Sequence, residues 1–477
     1  MRSVIDRVVG WLARLVALGF YRSVEVVDRD MVPRRGPVLV VSNHFNGMVD
    51  AVVVASTLRR LPRFIAKSTL WKFWPARPFL ALAGVVPIHR RVDGGGDNRS
   101  SFHVCHEVLA HGHTIAIFPE GTTHFRPHLD PIRTGAARIA LGAVERGVRG
   151  LVILPIGLAF EDLMEVRSRA LVRVGRPIDL DAEMDRILPR GAEAREEDRS
   201  AVQALNDELT VRLRAVSPDY VDVREQGTMR LAAEVSARVG GRVDGGFDVP
   251  LAMTEPIAQC LARRPDTARR EVERTVAAYV LDLRLAHLRD EHLDSSQGFV
   301  PLLGRLVLTT ALVMVLFPVA MLGTVANLVP ALAVYEAGVA IRAPVTKGTV
   351  RLLVALIIFP VTWIVLGIVL VDGIAWGIAL WCVMVAGGLL AVWLVHHVRV
   401  LARLWAAWWA RRVRAFMVGP LVSHRRDVAE AVDGALAGVE PAGTRPAGID
   451  SAGRDSAGID SAGRESAGID SGRSEVV

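Results

Sequence analysis

An imidazole and a carboxylate, His44 and Asp50, follow an apolar run, Val38-Leu-Val-Val41, that breaks into the polar corner Ser42-Asn43-His44. A strand that carries a His to an exposed corner, with an Asp close behind, suits a general base and its orienting partner. The Asp would accept from one ring nitrogen and fix the tautomer. The other nitrogen would then be free to take a proton from a substrate hydroxyl. On its own such a pair is more often a turn histidine and a helix-start aspartate, and it is three later segments that argue for chemistry. The spacing does not place both side chains on one helix face, so part of Phe45–Val49 must be non-helical, which Asn46-Gly47 permits.

The first of those segments, Gly84-Val-Val-Pro-Ile-His89-Arg90-Arg91, is a strand ending in two guanidiniums, planar forks that suit a phosphate. The Gly94–Gly96 stretch after it lacks the helix start of a phosphate-binding glycine loop. In the second, the apolar run Thr114–Phe118 breaks at Pro119-Glu120-Gly121-Thr122-Thr123-His124. There Pro fixes φ, Gly121 allows close backbone approach, and Glu120 and Thr122 offer polar contacts. Arg126 and Arg133 are candidate phosphate partners, and Thr134-Gly135 opens a helix whose N–H groups favour an anion. The third, Leu151–Ile156, is a buried-type strand with Pro155 and Gly157 at its end. His103, His106, His111 and His113 offer no third ligand or carboxylate at a recognisable spacing, so a polar helix face is the better reading and no metal is expected.

The elements that must position these residues alternate. Strands are predicted at Val38–Ser42, Arg63–Ala66, Val85–His89, Thr114–Phe118, Leu151–Ile156 and Ala170–Val174. Helices are predicted at Ala51–Arg60, Pro78–Ala83, Arg99–His111 and Thr134–Arg146. This alternation is the signature of an α/β domain.

The rest of the 477 residues must do something else, because the length exceeds one ordinary domain. Hydrophobic residues make up 51%, which calls for membrane segments. The net charge of +7 comes almost wholly from Arg, since Lys occurs only at 67, 72 and 347. A basic, apolar chain with no Arg–aromatic interleaving points to a membrane face and away from nucleic acid. Cys105, Cys260 and Cys382 are far apart, which excludes a disulfide framework and fits a reducing compartment.

Residues 3–21 repeat apolar positions at helical spacing around Trp11 with Arg flanks, giving an amphipathic helix. It serves either as an interfacial membrane anchor or as a helix packed on the domain. Charges interrupt the run, so it is not a signal peptide. Residues 191–300 are charged and helical in pattern, a scaffold in preference to a partner-binding surface. From Leu306 to Ile341 only Glu336 is charged, and Gly323, Asn327 and Pro330 predict a break near the middle. Leu352–Val371 and Ile374–Val395 are each long enough to span, with a turn at Asp372-Gly373. Basic residues flank these runs at Arg305, at Arg342, Lys347 and Arg351, and from Arg399 to Arg414. All can face one side only if 306–341 enters and returns, as a hairpin or two short spans, giving an even number of crossings. Trp405, Trp408 and Trp409 look like an interfacial belt. From about Gly443 a ten-residue repeat, Ala447-Gly-Ile-Asp-Ser-Ala-Gly-Arg-Asp-Ser456, lacks the residues to bury a core and is expected to be disordered.

Taken in order, Asn43-His44…Asp50, Gly84…Arg90, Phe118-Pro-Glu-Gly-Thr122 and Val152…Pro155 resemble the four motifs of the glycerophospholipid acyltransferases, the lysophosphatidate acyltransferase-like superfamily. Val174-Gly-Arg-Pro-Ile178 looks like that family's closing strand, and the resemblance covers roughly residues 35–180. Two features depart from the common pattern: five residues, not four, separate His44 from Asp50, and Thr123-His124 replaces the Arg after F-P-E-G-T. Both are similar to the branch containing glycerol-3-phosphate/dihydroxyacetone-phosphate acyltransferases, which also carry a C-terminal membrane extension. The resemblance implies an acyltransferase-type mixed sheet with flanking helices, followed by a helical region and C-terminal transmembrane helices. It implies acyl transfer from acyl-CoA or acyl carrier protein to a glycerol phosphate or lysophospholipid hydroxyl, with His44 as base and Asp50 as its partner. The acceptor would be held by Asn43, Arg90, Glu120, Gly121, Thr122, His124 and Pro155, with Arg133 in place of the missing motif Arg. No cofactor beyond the thioester co-substrate and no acyl-enzyme is implied, so Ser42 and Thr122 are not nucleophiles.

The segments are accordingly an interface helix at 1–22, a catalytic domain at 23–190, a helical region at 191–300, a membrane region at 301–417 and a tail from 418. The protein is expected at the cell membrane with its catalytic domain on the cytoplasmic face. Another lysophospholipid or a glycolipid as acceptor, or a non-catalytic lipid-binding scaffold, are the alternatives.

Overall fold

The computed structural model describes residues 2–72, 77–88, 99–163, 165, 167–241, 248–293, 299–341, 344–370, 373–413 and 415–437. Arg90, the Gly94–Gly96 stretch, Arg342, Asp372, Arg414 and the repeats lie outside these residues.

The chain begins with α1 (Arg2–Phe20), β1 (Ser23–Val27), β2 (Val38–Ser42), α2 (Met48–Thr57), β3 (Arg63–Lys67), α3 (Arg77–Leu82), β4 (Val86–Ile88) and α4 (Arg99–Ala110). It continues with β5 (Thr114–Ile117), α5 (Gly135–Glu145), β6 (Val152–Phe160), β7 (Arg169–Val174), β8 (Ile178–Asp179), α6 (Leu180–Ile187) and α7 (Arg199–Val216). The strands form one mixed sheet in the order β1-β7-β6-β2-β5-β3-β4, with β8 beside β6. Strands β6, β2, β5, β3 and β4 are mutually parallel, and β7 and β8 run antiparallel to β6.

The central strands are apolar along their whole length because both faces are covered. In β2, Leu39 and Val41 enter the core beneath α4, α5 and α7, whereas Val38 and Val40 enter the core beneath α1 and α2. This alternation is the two-residue period of a strand serving two hydrophobic layers at once. Strand β6 runs to Phe160, beyond the predicted end at Ile156. Gly157 is not a terminator there: a methyl group on it would lie 2.0 Å from the Val216 carbonyl oxygen, so it admits the main chain at the end of α7. Pro155 sits mid-strand opposite Val41. Its carbonyl accepts from Gly175 N–H at 2.8 Å, so its missing N–H faces the gap between the β8 and β7 pairings, where no ladder bond is lost.

The predicted helical region divides. Helix α7 buries Ala201, Leu205, Leu209 and Leu213 in the sheet's own core, although the sequence places the domain end at 190. Helices α8 (Val223–Val239), α9 (Leu251–Ala262) and α10 (Asp266–Leu285) form a separate core with α14 (Ala415–Leu436). Asp290 joins them, accepting from Tyr279 Oη at 2.6 Å and from Arg425 Nη2 at 3.1 Å. The tail therefore does not begin at 418: Leu421, Val428, Val432 and Ala435 are buried.

Three helices are long and apolar enough to cross a membrane, within α11 (Phe299–Ala340), α12 (Pro344–Leu370) and α13 (Ile374–Val413). The hairpin predicted within 306–341 is absent, and α11 is continuous through Pro318 and Pro330. Its suspected breakers are contact residues instead. A methyl on Gly323 would strike the Gly387 backbone at 2.2 Å. The Asn327 amide donates to Gly323 and Met384 carbonyls at 2.7 and 2.9 Å, and its oxygen accepts from Trp363 Nε1 at 2.8 Å. Neighbouring helices thus meet the polar groups that would end a helix in water.

Candidate active site

The sheet order explains why two distant motifs meet. Strands β2 and β5 are adjacent and parallel, with Val41 opposite Ile117, so the corners that follow them emerge side by side at the carboxyl edge of the sheet. That edge is where open α/β sheets build sites.

After β2 the chain turns through residues 43–47 before α2 starts. Gly47, at φ 54 and ψ −129, takes a conformation that L side chains avoid, and this lets the chain re-enter so that Asp50 falls in the first helical turn. Asp50 is fully buried. Its Oδ2 accepts from His44 Nδ1 at 2.9 Å and from the Phe45 and Asn46 N–H groups at 2.7 Å each. The carboxylate therefore closes the loop and holds the proton on Nδ1, leaving Nε2 as a free acceptor. The His44 side chain is 15% exposed. Phe118 stacks on it with ring centroids 4.1 Å apart and 12° between planes, so the ring is fixed in two directions. The non-helical corner expected between His44 and Asp50 is what brings the two together.

The F-P-E-G corner braces this loop from the β5 side. Glu120 Oε1 accepts from the His44 N–H at 2.7 Å. Its Oε2 accepts from His124 Nε2 at 2.5 Å and from the Asp130 N–H at 3.0 Å. Burial works against charge on His124, but the hydrogen bond and charge of Glu120 outweigh it and raise the imidazole's pKa. Glu120, His124 and Asp130 are close enough to share a cation, yet the Nε2 of His124 is already committed to Glu120.

Four predicted acceptor ligands are engaged within the protein or buried in the sheet. Glu120 and His124 are buried with these atoms spent on each other and on the His44 loop. Asn43 is fully buried and clasps Leu158 of β6 in both directions: Nδ2 donates to its carbonyl at 3.0 Å, and Oδ1 accepts its N–H at 2.7 Å. Pro155 is buried inside the sheet. The residues left at the rim are Gly121, Thr122 and Arg133. Gly121 has φ +70, which L side chains rarely adopt, and the Arg133 side chain packs over it, its Nε 2.8 Å from where a methyl would stand. Arg133 is exposed beside the amino end of α5, and among the described residues its side chain has no acidic partner. Arg90 is not described, but β4, which leads to it, ends at the same edge of the sheet.

Two contributors escaped the sequence reading. Phe118 was legible as the last residue of its strand. Thr349, whose Oγ1 accepts the Met48 N–H at 3.1 Å, comes from the membrane region and carries no signal in the sequence. His103 pairs with Glu107 at 3.4 Å on an exposed face. His106 is buried beside Glu196 at 3.8 Å, and burial presses its pKa down to about 4.

Residues 23–159 match the family model described as Acyltransferase. Over 138 residues the chain is 33% identical to glycerol-3-phosphate O-acyltransferase 1 of Saccharomyces cerevisiae, covering 28% of this chain and 18% of that protein. Over 152 residues it is 34% identical to lyso-ornithine lipid O-acyltransferase of Pseudomonas aeruginosa, covering 31% of this chain and 52% of that protein. The matches thus span less than two thirds of either relative. A solved 1-acyl-sn-glycerophosphate (LPA) acyltransferase, PlsC, from Thermotoga maritima aligns with 45% of this chain and 79% of its own, at TM-score 0.35 and 18% identity.

Proposed function

We propose that this chain, whose residues 23–159 match the Acyltransferase family model, is a membrane-bound O-acyltransferase of glycerophospholipid synthesis. It moves a fatty acyl group from acyl-CoA or acyl carrier protein to a hydroxyl of glycerol-3-phosphate or lysophosphatidate. The observation that carries this reading is the 2.9 Å bond from His44 Nδ1 to a fully buried Asp50, with Nε2 left open at the sheet edge.

The chemistry follows from that geometry. His44 Nε2 removes the acceptor's hydroxyl proton as its oxygen attacks the thioester carbonyl, and Asp50 stabilises the imidazolium. Collapse of the tetrahedral intermediate expels the thiolate, which takes the proton back from His44, leaving an ester and a free thiol. Arg133 and the amino end of α5 supply positive potential for the acceptor's phosphate, joined by Arg90. Gly121 and Thr122 line the same rim.

Three features support work at a membrane: the apolar helices, the exposed apolar face of α1 with Trp11 60% exposed, and the oily acyl chains of donor and product. The continuous α11 removes the expected even number of crossings, but Thr349 joins the head of α12 to the catalytic corner, and Lys347 and Arg351 beside it support a cytoplasmic placement of that segment. A second reading has a specific basis: the lyso-ornithine lipid relative makes a larger amphiphilic acceptor the main rival.

The test is purified full-length chain in detergent with labelled acyl-CoA, offered glycerol-3-phosphate, lysophosphatidate or another lyso-lipid in turn. Transfer to either of the first two supports the proposal. Transfer only to another lyso-lipid moves the assignment to that acceptor. No transfer to any leaves a lipid-binding scaffold, and transfer that survives His44→Ala refutes His44 as the base.

A further inference from the structure

We propose that Gly348 and Thr349, at the head of membrane helix α12, are positioning residues for the His44–Asp50 pair, so that a membrane helix itself holds the catalytic corner shut. The inference rests on the function proposed above and adds a part of the chain far outside the acyltransferase segment.

Helix α2 begins on a glycine, Gly47, and has no side-chain cap of its own. Asp50 covers the Phe45 and Asn46 N–H groups, which leaves the Met48 N–H, and Thr349 Oγ1 takes it at 3.1 Å. The threonine therefore serves as a capping residue supplied from another helix, 301 positions away in sequence. One residue earlier, Gly348 packs on the same loop. A methyl group there would lie 2.2 Å from Asn46 Oδ1 and 3.0 Å from its Cγ. Asn46 is the residue whose own N–H is bonded to Asp50 Oδ2, so whatever displaces Asn46 pulls on the carboxylate that orients His44. One turn further on, Leu352 is buried with Phe45, Val49 and Val53, and Leu356 packs against the same cluster. The catalytic loop is thus clamped between two walls, Glu120 from β5 on one side and α12 on the other.

The experiment uses the full-length chain in nanodiscs of phosphatidylcholine and phosphatidylglycerol, with Gly348→Ala, Thr349→Val and Thr349→Ser. Two readouts are taken: kcat and donor KM for acyl transfer, and amide hydrogen exchange of the peptide spanning 44–50. Gly348→Ala should lower kcat on the order of 100-fold, the size expected when a catalytic group is misplaced by about 1 Å. Donor KM should stay within about twofold. Thr349→Val should lower kcat roughly fivefold, as for loss of one capping bond, and Thr349→Ser should restore it. Exchange at 45–49 should quicken in Gly348→Ala and Thr349→Val and stay at the wild-type rate in Thr349→Ser. Unchanged exchange at 45–49 in Gly348→Ala overturns the inference. So does a kcat loss in Thr349→Val that serine fails to rescue. Exchange does not depend on turnover: a chain inactive with every acceptor but responsive in exchange sinks the functional reading and keeps this one.

Discussion

Replacing Asp50 by Asn keeps the side chain's shape and removes its charge, and the geometry sets what that should cost. A carboxamide oxygen can stand where Oδ2 stands and keep the bonds to His44 Nδ1 and to the Phe45 and Asn46 N–H groups. Its NH₂ then occupies the position of Oδ1, which is buried with no hydrogen-bond partner among the described residues. Wild type already carries an unpaired buried atom at that position, so one such group replaces another and the protein should fold with a nearly unchanged Tm. The larger effect is on the reaction. Unit charges 2.9 Å apart attract by about 6 kcal/mol at an effective dielectric of ~20, which bounds the stabilisation of the imidazolium from above. The hydrogen bond that survives retains part of it. The barrier should therefore rise by about 3–5 kcal/mol, or roughly 10²- to 10⁴-fold in kcat. The assay is single-turnover transfer of labelled acyl-CoA by purified protein in detergent, with circular dichroism as the fold control and His44→Ala beside it. His44→Ala should lose at least as much. A folded Asp50→Asn enzyme within about threefold of wild type would refute the base-and-partner mechanism.

Three further predictions test other parts of the structure. The raised pKa of His124 means that the Glu120–His124 pair stabilises the fold fully below the unfolded imidazole value of about 6.5, and that this contribution fades as pH rises through the raised folded value. The Tm difference between wild type and His124→Gln should shrink from pH 6 to pH 9, and a difference that grows with pH contradicts it. Gly157→Ala should cost at least about 3 kcal/mol in chemical denaturation, because main chain 2.0 Å away cannot rotate aside; near-neutral behaviour would mean that α7 does not approach β6 there. Asn327→Leu should lower the thermal stability of the detergent-solubilised protein by about 1–2 kcal/mol, since Met384 and Trp363 both lose their partner, and an unchanged melting curve would count against the three-helix junction.

The sheet and the His44–Asp50 pair were legible because each rests on local pattern. An apolar strand, a polar corner with Gly47 and a helix start are consecutive in the chain, and their geometry brings His44 onto Asp50. What a polar corner cannot reveal is which of its atoms are already spent. Asn43, Glu120 and His124 have the chemistry of acceptor ligands, yet their partners are the Leu158 backbone, the His44 N–H and each other, and the first two of these contacts join segments far apart in sequence. Thr349 is harder still, since nothing in an apolar helix marks one hydroxyl as a cap for a helix some 300 positions earlier. The break predicted in α11 failed for a related reason: Gly, Asn and Pro end helices in water, but here packed neighbours satisfy them. Strand β1 was missed because its partner β7 lies far away in sequence. The buried stripe of α14, Leu421, Val428, Val432 and Ala435, was overlooked beside the low-complexity repeats that follow.

The side chains that secure His44 are turned inward, and the residues at the rim (Gly121, Thr122 and Arg133) brace it only through main-chain bonds, from Gly121 and Arg133, to the Phe118–Pro119 corner. On the proposed function, proton abstraction and choice of alcohol would therefore be mechanically separate tasks. Exchanges along the rim would then retune which headgroup is accepted while the proposed base keeps its strength, and a lineage could change its product without rebuilding its catalyst.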